Sequence, residues 1–320
     1  MTRNDRYARM ASITIISIFF LTLPIYMGSA YVSLFTKVVI FAMLAMSLDL
    51  VAGYTGLWSF CQGALFGVGG YATGVLIKKA GITNFWAAAP LGVAIAVAIA
   101  AIFGYIAIRV SKLYFLLITF ALGMLVYVAV YTWRTLTGGS AGLPGISYPE
   151  IGFTLTVTSY FYFVLVLFVI VGVLLHLLVK SSLGLSMKGV RDDEVRMKAL
   201  GYNTWLIRYI AFVIGGAVAG VAGMLFVYFN GFIGPSDVGM AASGLVWLMV
   251  IMGGIGTLWG AALGGGIIIL LQFFIGIFTP DRWPLIVGAL FVATVLFLRG
   301  GIFPVLQRGL ERLAGRQWKL

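Results

Sequence analysis

Charged side chains are scarce in this chain, and the ones able to do chemistry fall together. Residues 180–208 read KSSLGLSMKGVRDDEVRMKALGYNTWLIR, placing Lys180, Lys188, Arg191, Arg196, Lys198 and Arg208 against Asp192, Asp193 and Glu194. Three of the nine acidic residues are thus consecutive in one polar island. Apolar runs long enough to cross a bilayer flank it on both sides. The stretch RDDEVRMKAL can wind about two and a half turns of helix. Glu194 and Lys198 form an i,i+4 pair in the favourable orientation, and Gly201 is placed to stop the helix. Interlocked charges on a short helix are the chemistry of docking a soluble partner. A plainer reading is a loop whose basic residues hold it on the inner side of a membrane. That reading accounts for the six Lys and Arg but needs neither an acidic–basic helix nor the closing Leu200-Gly201-Tyr202.

Other chemistry finds little to stand on. No GxxxxGK[ST] run occurs, so an ATP site of that kind is not expected on this chain. Cys61 and His176 are single examples of their types, so neither an internal disulfide nor a metal site of Cys/His spacing is expected. Enzyme chemistry therefore has no constellation here. Within the apolar runs only Lys37 and Asp49 carry full charge, and both lie near run ends. A carrier driven by protons or sodium needs acidic or paired groups at depth. This scarcity argues for energy delivered from outside the chain.

The elements that hold these groups follow from composition. Of 320 residues, 62% are hydrophobic and 9% charged, far below the quarter expected of a soluble domain. The chain is therefore an integral membrane protein, and continuous rather than alternating apolar runs specify helices. The expected fold is an all-α polytopic bundle, one permease-like domain over 1–320 with interrupted or re-entrant helices. The net charge of +12 collects at run ends, which points to membrane-surface anchoring and not to nucleic acid.

Spans are expected at 10–29, 31–51, 57–77, 85–108, 113–133, 155–179, 209–229, 243–278 (interrupted) and 283–299. Residues 1–29, with Arg3, Arg6 and Arg9 before an apolar core and Gly28-Ser29-Ala30, imitate a signal peptide, but the many following spans favour an uncleaved first helix. Alternation from a cytoplasmic start puts Arg109, Lys112 and the 180–208 island inside, and the loops 134–154 and 230–242 outside. It also leaves Lys78 and Lys79 outside. The tail 300–320, with Arg308, Arg312, Arg316 and Lys319, follows Arg299 on the inner side. That requires two passes, 243–252 and 261–278, joined at Gly253-Gly254-Ile255-Gly256.

Two glycine-rich breaks echo each other. Gly53-Tyr54-Thr55-Gly56-Leu57-Trp58 follows one apolar run, and Gly253-Gly254-Ile255-Gly256-Thr257-Leu258-Trp259 follows another. Breaks at corresponding places in two halves point to a transport pathway. Beyond the first, Gly63, Gly67, Gly70 and Gly74 recur at helical spacing, which serves close helix packing as readily as a pathway lining. Ser59, Cys61 and Gln62 supply polar atoms able to meet a zwitterion, while Trp58 and Trp259 also suit interface anchors.

Three stretches together resemble a known family. VAGYTGLWSFCQGALFGVGGYATGVL resembles the signature VGYTGLxSLGxAAFFGxGAY. SSLGLSMKGVRDDEVRMKALGYNTWLIRYIAFVIGGAVAGVAGMLFVYFNGFIGP resembles the cytoplasmic coupling segment and the helix after it. LMVIMGGIGTLWGAALGG, with DRWPLIVGALFVATVLFLRGGI, resembles the C-terminal end. The family is that of the permease subunits of high-affinity branched-chain amino acid ABC importers, LivM type, and the resemblance covers most of 38–303. It implies a multi-pass subunit of a bacterial inner membrane, paired with a second, related permease. Two cytoplasmic ATPases would bind ATP and Mg, with no cofactor on this chain, and an extracytoplasmic solute-binding protein would deliver leucine, isoleucine or valine. The coupling helix would map onto Gly189 to Gly201, with Arg191, Asp192, Asp193, Glu194, Ala199, Leu200 and Gly201 matching, Lys198 alongside, and Lys188-Gly189 in place of arginine-alanine. The pathway motif would map onto Gly53, Tyr54, Thr55, Gly56, Leu57, Ser59, Gly63, Ala64, Phe66, Gly67 and Tyr71, with Gly253, Gly254 and Gly256 as its echo. Phe60-Cys61-Gln62 and Gly70 depart from the pattern and bear on the preferred solute. Importers of urea or short-chain amides share the architecture, and an ion-coupled secondary carrier is the rival of another class.

Overall fold

A computed structural model describes residues 28–110, 112–149, 155–278, 283–297 and 300–304, together with Pro24 and Tyr26. The expected first span at 10–29, Arg3, Arg6, Arg9, Arg299 and the basic residues of the tail lie outside the described residues. In chain order the helices are α1 (Ser29–Thr55), α2 (Gln62–Lys78), α3 (Phe85–Ala107), α4 (Lys112–Thr132), α5 (Arg134–Thr137), α6 (Val157–Lys180), α7 (Ser182–Asp192), α8 (Glu194–Ala199), α9 (Thr204–Asn230), α10 (Met240–Gly253), α11 (Leu258–Phe278) and α12 (Trp283–Phe297). Two-residue strands β1 (Leu143–Pro144) and β2 (Phe232–Ile233) complete the description. Seven segments are long and apolar enough to span a bilayer: α1 from Ser29, α3, Leu113–Thr132 of α4, α6, α9, Pro235–Gly253 ending in α10, and α11.

The centre of the bundle is α1, α2 and α9. From Val38 to Thr55 every residue of α1 except Phe41 is buried. In lipid no hydrophobic force pulls helices together, so close van der Waals approach over small residues does it instead. A Cβ on Gly223 of α9 would overlap the Phe66 carbonyl of α2, and one on Gly69 would overlap the Gly220 carbonyl. Gly216 meets Ala100 of α3 in the same way, and Gly215 lies against Val51 of α1. Helices α4 and α6 form the rim, with outward rows such as Leu113, Leu117 and Leu125, or Val166, Val169, Ile170 and Val173, exposed to lipid.

Chain direction separates two ends, called outer and inner after the expected topology. At the outer end β1 pairs antiparallel with β2, Leu143 opposite Ile233 and Pro144 opposite Phe232, and Ile146 N donates to Gly231 O at 3.0 Å. The loops expected together outside are thus joined, and Lys78 sits beside Gly145 at that same end. At the inner end α7 and α8 pack under α1 and α9.

Several boundaries differ from expectation, each for a local reason. The segment expected as 57–77 is helical only from Gln62, because Gly56 at φ +69° ends α1 and five residues run unwound. The first glycine motif is therefore not a break throughout: Gly53, Tyr54 and Thr55 form the last turn of α1. The single helix expected at 191–200 is two, since Asp193 takes extended backbone (φ −154°, ψ 100°) and caps α8 by accepting from Arg196 N at 3.0 Å. Gly201, at φ +85°, does stop α8. The expected two passes at the C-terminal side are an antiparallel pair, α10 and α11, in which Gly253 touches Gly260 and Gly264 touches Met249.

Candidate functional site

The unwound stretch Leu57–Cys61 doubles back into the bundle. Gln62, which starts α2, donates from Nε2 to Ser47 O at 3.3 Å. Ser47 is eight residues before the end of α1, so α2 begins about 12 Å inside the bundle from that end. Unwound backbone at such depth must find partners in protein. It does: Phe60 N donates to Thr119 Oγ1 of α4 at 3.1 Å, and Trp247 Nε1 of α10 donates to Ser59 O at 2.8 Å. Phe60 stacks on Trp247 with centroids 5.9 Å apart, and Trp58 lies 5.5 Å from the same indole. The side chains of Ser59, Cys61 and Gln62 are buried, Ser59 Oγ lying 3.3 Å from Cys61 Sγ. Trp58, 55% exposed, is the part of this stretch that reaches the surface. Gly63 and Gly67 beyond it pack on Ser243 and Val238, so the glycine stripe is a contact surface for α10 and the turn before it.

The two glycine motifs meet in space at the inner end. A Cβ on Gly53 would overlap both Gly256 N and Asp49 Oδ1. Asp49 is fully buried, and its Oδ1 accepts from Gly256 N at 2.6 Å. Its Oδ2 has no hydrogen-bond partner among the described residues. Gly254 and Gly256, at φ +115° and +80°, make the turn between α10 and α11 that offers this N–H. Arg191, at the last turn of α7, donates from Nη1 to Gly53 O at 2.7 Å and from Nε to Asp192 Oδ1 at 3.0 Å. A cation thus caps the C-terminal, partially negative end of α1 from another element. Four elements, α1, α7 and the α10–α11 pair, are tied through these few polar atoms.

Glu194 anchors the next piece. Its carboxylate lies 2.9 Å from Lys198 Nζ and 2.7 Å from Nη2 of the buried Arg208, and Thr204 Oγ1 donates to it at 3.3 Å. The Arg208 contact is an ion pair by distance and not an aligned hydrogen bond. Partial burial alone would raise the Glu194 pKa, but the hydrogen bond of Lys198 and the charges of Arg208 and Lys198 outweigh it and hold the carboxyl below its ordinary value. Lys188 stands 5.4 Å over the Tyr54 ring, and Gly189 leaves room for Met197, closing α7 on α8. Leu185, Val195 and Leu200 remain 71%, 77% and 67% exposed on this inner surface.

Sequence reasoning named both partners of the Arg191–Gly53 contact but not the contact. It missed Thr119 and Trp247, whose positions in ordinary apolar helices carry no local signal, and treated Arg208 as one more loop cation. Among the described residues no group of three or more His, Cys, Asp or Glu is arranged to hold a metal.

Comparisons place these features in a family. Residues 30–295 match the family described as branched-chain amino acid transport system / permease component. The chain is 24% identical over 318 residues to the high-affinity branched-chain amino acid transport system permease protein LivM of Salmonella typhimurium, covering 92% of this chain and 74% of that protein. It is 25% identical to LivM of Escherichia coli, over 88% and 72% of the two chains. It is also 26% identical to the permease protein LivH of Escherichia coli, over 82% and 90%. No solved structure matches.

Proposed function

This chain belongs to the branched-chain amino acid transport permease family, and from that premise we propose how its fold moves solute. It is a permease subunit of a branched-chain amino acid ABC importer, a multi-pass protein of the inner membrane, and not itself an enzyme. Leucine, isoleucine and valine are the solutes, handed over at the outer end by a solute-binding protein. A second, related permease completes the pathway, and two cytoplasmic ATPases hold ATP and Mg. They grip α7 and α8, whose exposed Leu185, Val195 and Leu200 offer an apolar footing inside a ring of charge.

The observation that carries this reading is the bond from Arg191 to Gly53 O. It ties the segment expected to meet the ATPases to the last turn of α1, five residues ahead of Trp58 in the unwound stretch. A displacement of α7 must therefore pull on α1 and, through Asp49, on the α10–α11 turn. The ATPase pair has to bind α7–α8 differently in its two nucleotide states, since otherwise no work is transmitted. The Trp58 face, with the unwound stretch behind it, then alternates between the two sides of the membrane.

The test is uptake by the reconstituted complex, with and without the binding protein. Leucine uptake that requires ATP and the binding protein supports the reading. Uptake by the chain alone on a proton or sodium gradient overturns it.

A further inference from the structure

A cavity of about 500 Å³ opens at the inner membrane surface where the end of α6, the start of α7 and the start of α11 meet. Its polar wall carries Lys180 and Lys188, and its apolar wall Leu185, Leu258 and Trp259. The ion pairs among the described residues join Asp192, Asp193 and Glu194 to Arg191, Arg196, Lys198 and Arg208, leaving Lys180 and Lys188 with no carboxylate partner there. Among the described residues no acidic side chain lines the cavity, and His176 adds an imidazole to it.

The rest of the surroundings belong to lipid. Trp259 rests edge-on against Phe168 of α6 at 6.2 Å and over Gly172, closing the α6–α11 seam just inside the cavity. Along α6, Val173 and Val169 follow Lys180 and His176 at helical spacing as exposed apolar surface. Two uncompensated ammonium groups at headgroup depth, above an acyl-chain-compatible track, are matched by one kind of ligand. We propose that this cavity is a binding site for an anionic phospholipid of the inner leaflet, its phosphate held between Lys180 and Lys188 and its chains laid on α6. Basic pockets between helices on the cytoplasmic side recognise such headgroups by charge, while the apolar wall discriminates against a free anion. Because Tyr54 and Gly256 also line the cavity, the bound lipid would brace the inner-end tie between α1 and the α10–α11 turn.

The experiment uses the full chain purified into nanodiscs of mixed phosphatidylglycerol and phosphatidylcholine, with retained lipid counted by native mass spectrometry. Phosphatidylglycerol is expected to be retained preferentially. Lys180→Gln with Lys188→Gln should weaken that preference about thirty-fold, roughly five-fold per lysine. Arginine at both positions should restore it, and Lys78→Gln with Lys79→Gln, an equal charge change at the outer end, should leave it unchanged. Equal retention of the two lipids, or preference unaltered in the double glutamine variant, overturns the proposal. So does displacement of phosphatidylglycerol by millimolar inorganic phosphate, which would assign the cavity to a free anion. Loss of ATPase association in the glutamine variant with lipid preference intact would also overturn it, assigning the lysines to subunit docking.

Discussion

Two of the glycine-flanked interruptions, at Leu57–Cys61 and at Gly254–Thr257, are held by different physics. The first lies inside the bundle and is satisfied by neutral donors and acceptors: Thr119, Trp247 and Ser47 O. Phe60, within it, adds stacking on Trp247. The second lies at the inner end and depends on charge, with Asp49 accepting from Gly256 N while Arg191 caps the adjacent turn of α1. Neutral bonds fix a shape. A charged group at the bundle edge, as the part-exposed Arg191 is, changes the strength of its bonds when a partner arrives, because its dielectric surroundings change. On the proposed mechanism, the inner break would be the place for a signal to enter, and the buried break the place where it is delivered.

Removing the charge at the inner break should have the largest effect. Arg191→Ala takes away a charge-assisted bond and uncaps α1, and ATP-driven uptake is expected to fall ten- to a hundred-fold, as loss of about 1.5–3 kcal/mol implies. Membrane insertion and ATP hydrolysis by the assembled complex should persist. Uptake at the normal rate would remove α7 from the coupling path. Gly53→Ala comes next. Its methyl group has no space between Asp49 and Gly256, and separating α1 from the α10–α11 turn should cost about 1–3 kcal/mol, read as a lower thermal midpoint together with reduced uptake.

At the buried break, Trp247→Phe keeps the ring but leaves Ser59 O without its donor. An orphaned carbonyl at that depth should cost about 1–3 kcal/mol of stability in detergent, with uptake less affected than by Arg191→Ala. If the two substitutions reduce uptake equally at equal stability, the division of labour between the breaks fails.

The smallest effect concerns pH. The folded-state pKa of Glu194 lies below its ordinary 4.5, so its stabilisation of α8 is complete above that value and lost as pH falls through the lower folded one. ATPase association should stay flat as pH falls toward the ordinary 4.5 and weaken only below it, and Glu194→Gln should weaken it modestly throughout. A midpoint near pH 6 would show that another group controls the joint.

Much of the bundle was legible because hydrocarbon imposes long uniform apolar runs, and the paired glycine motifs were legible because their residues repeat. Depth was not. Leu57–Cys61 is as apolar as the helix after it, and hydropathy registers burial without telling a wound backbone from an unwound one. The break at Asp193 was hidden by the Glu194–Lys198 spacing, which fits one continuous helix and two short ones equally well. An aspartate three residues ahead of Arg196 is also a cap signal, and read that way it marks the start of α8. Trp247 holds a carbonyl 188 residues away, a relation that spacing along the chain cannot express.

The glycine seams among α1, α2 and α9 leave no clearance for one helix to slide along another, since backbone already rests on backbone at Gly69, Gly220 and Gly223. These helices form a stiff pillar, and a stiff pillar tilts as a whole. Under the proposed coupling, a pull applied at its foot would swing Trp58 through an arc in proportion to its distance from the pivot, with little of the stroke absorbed on the way.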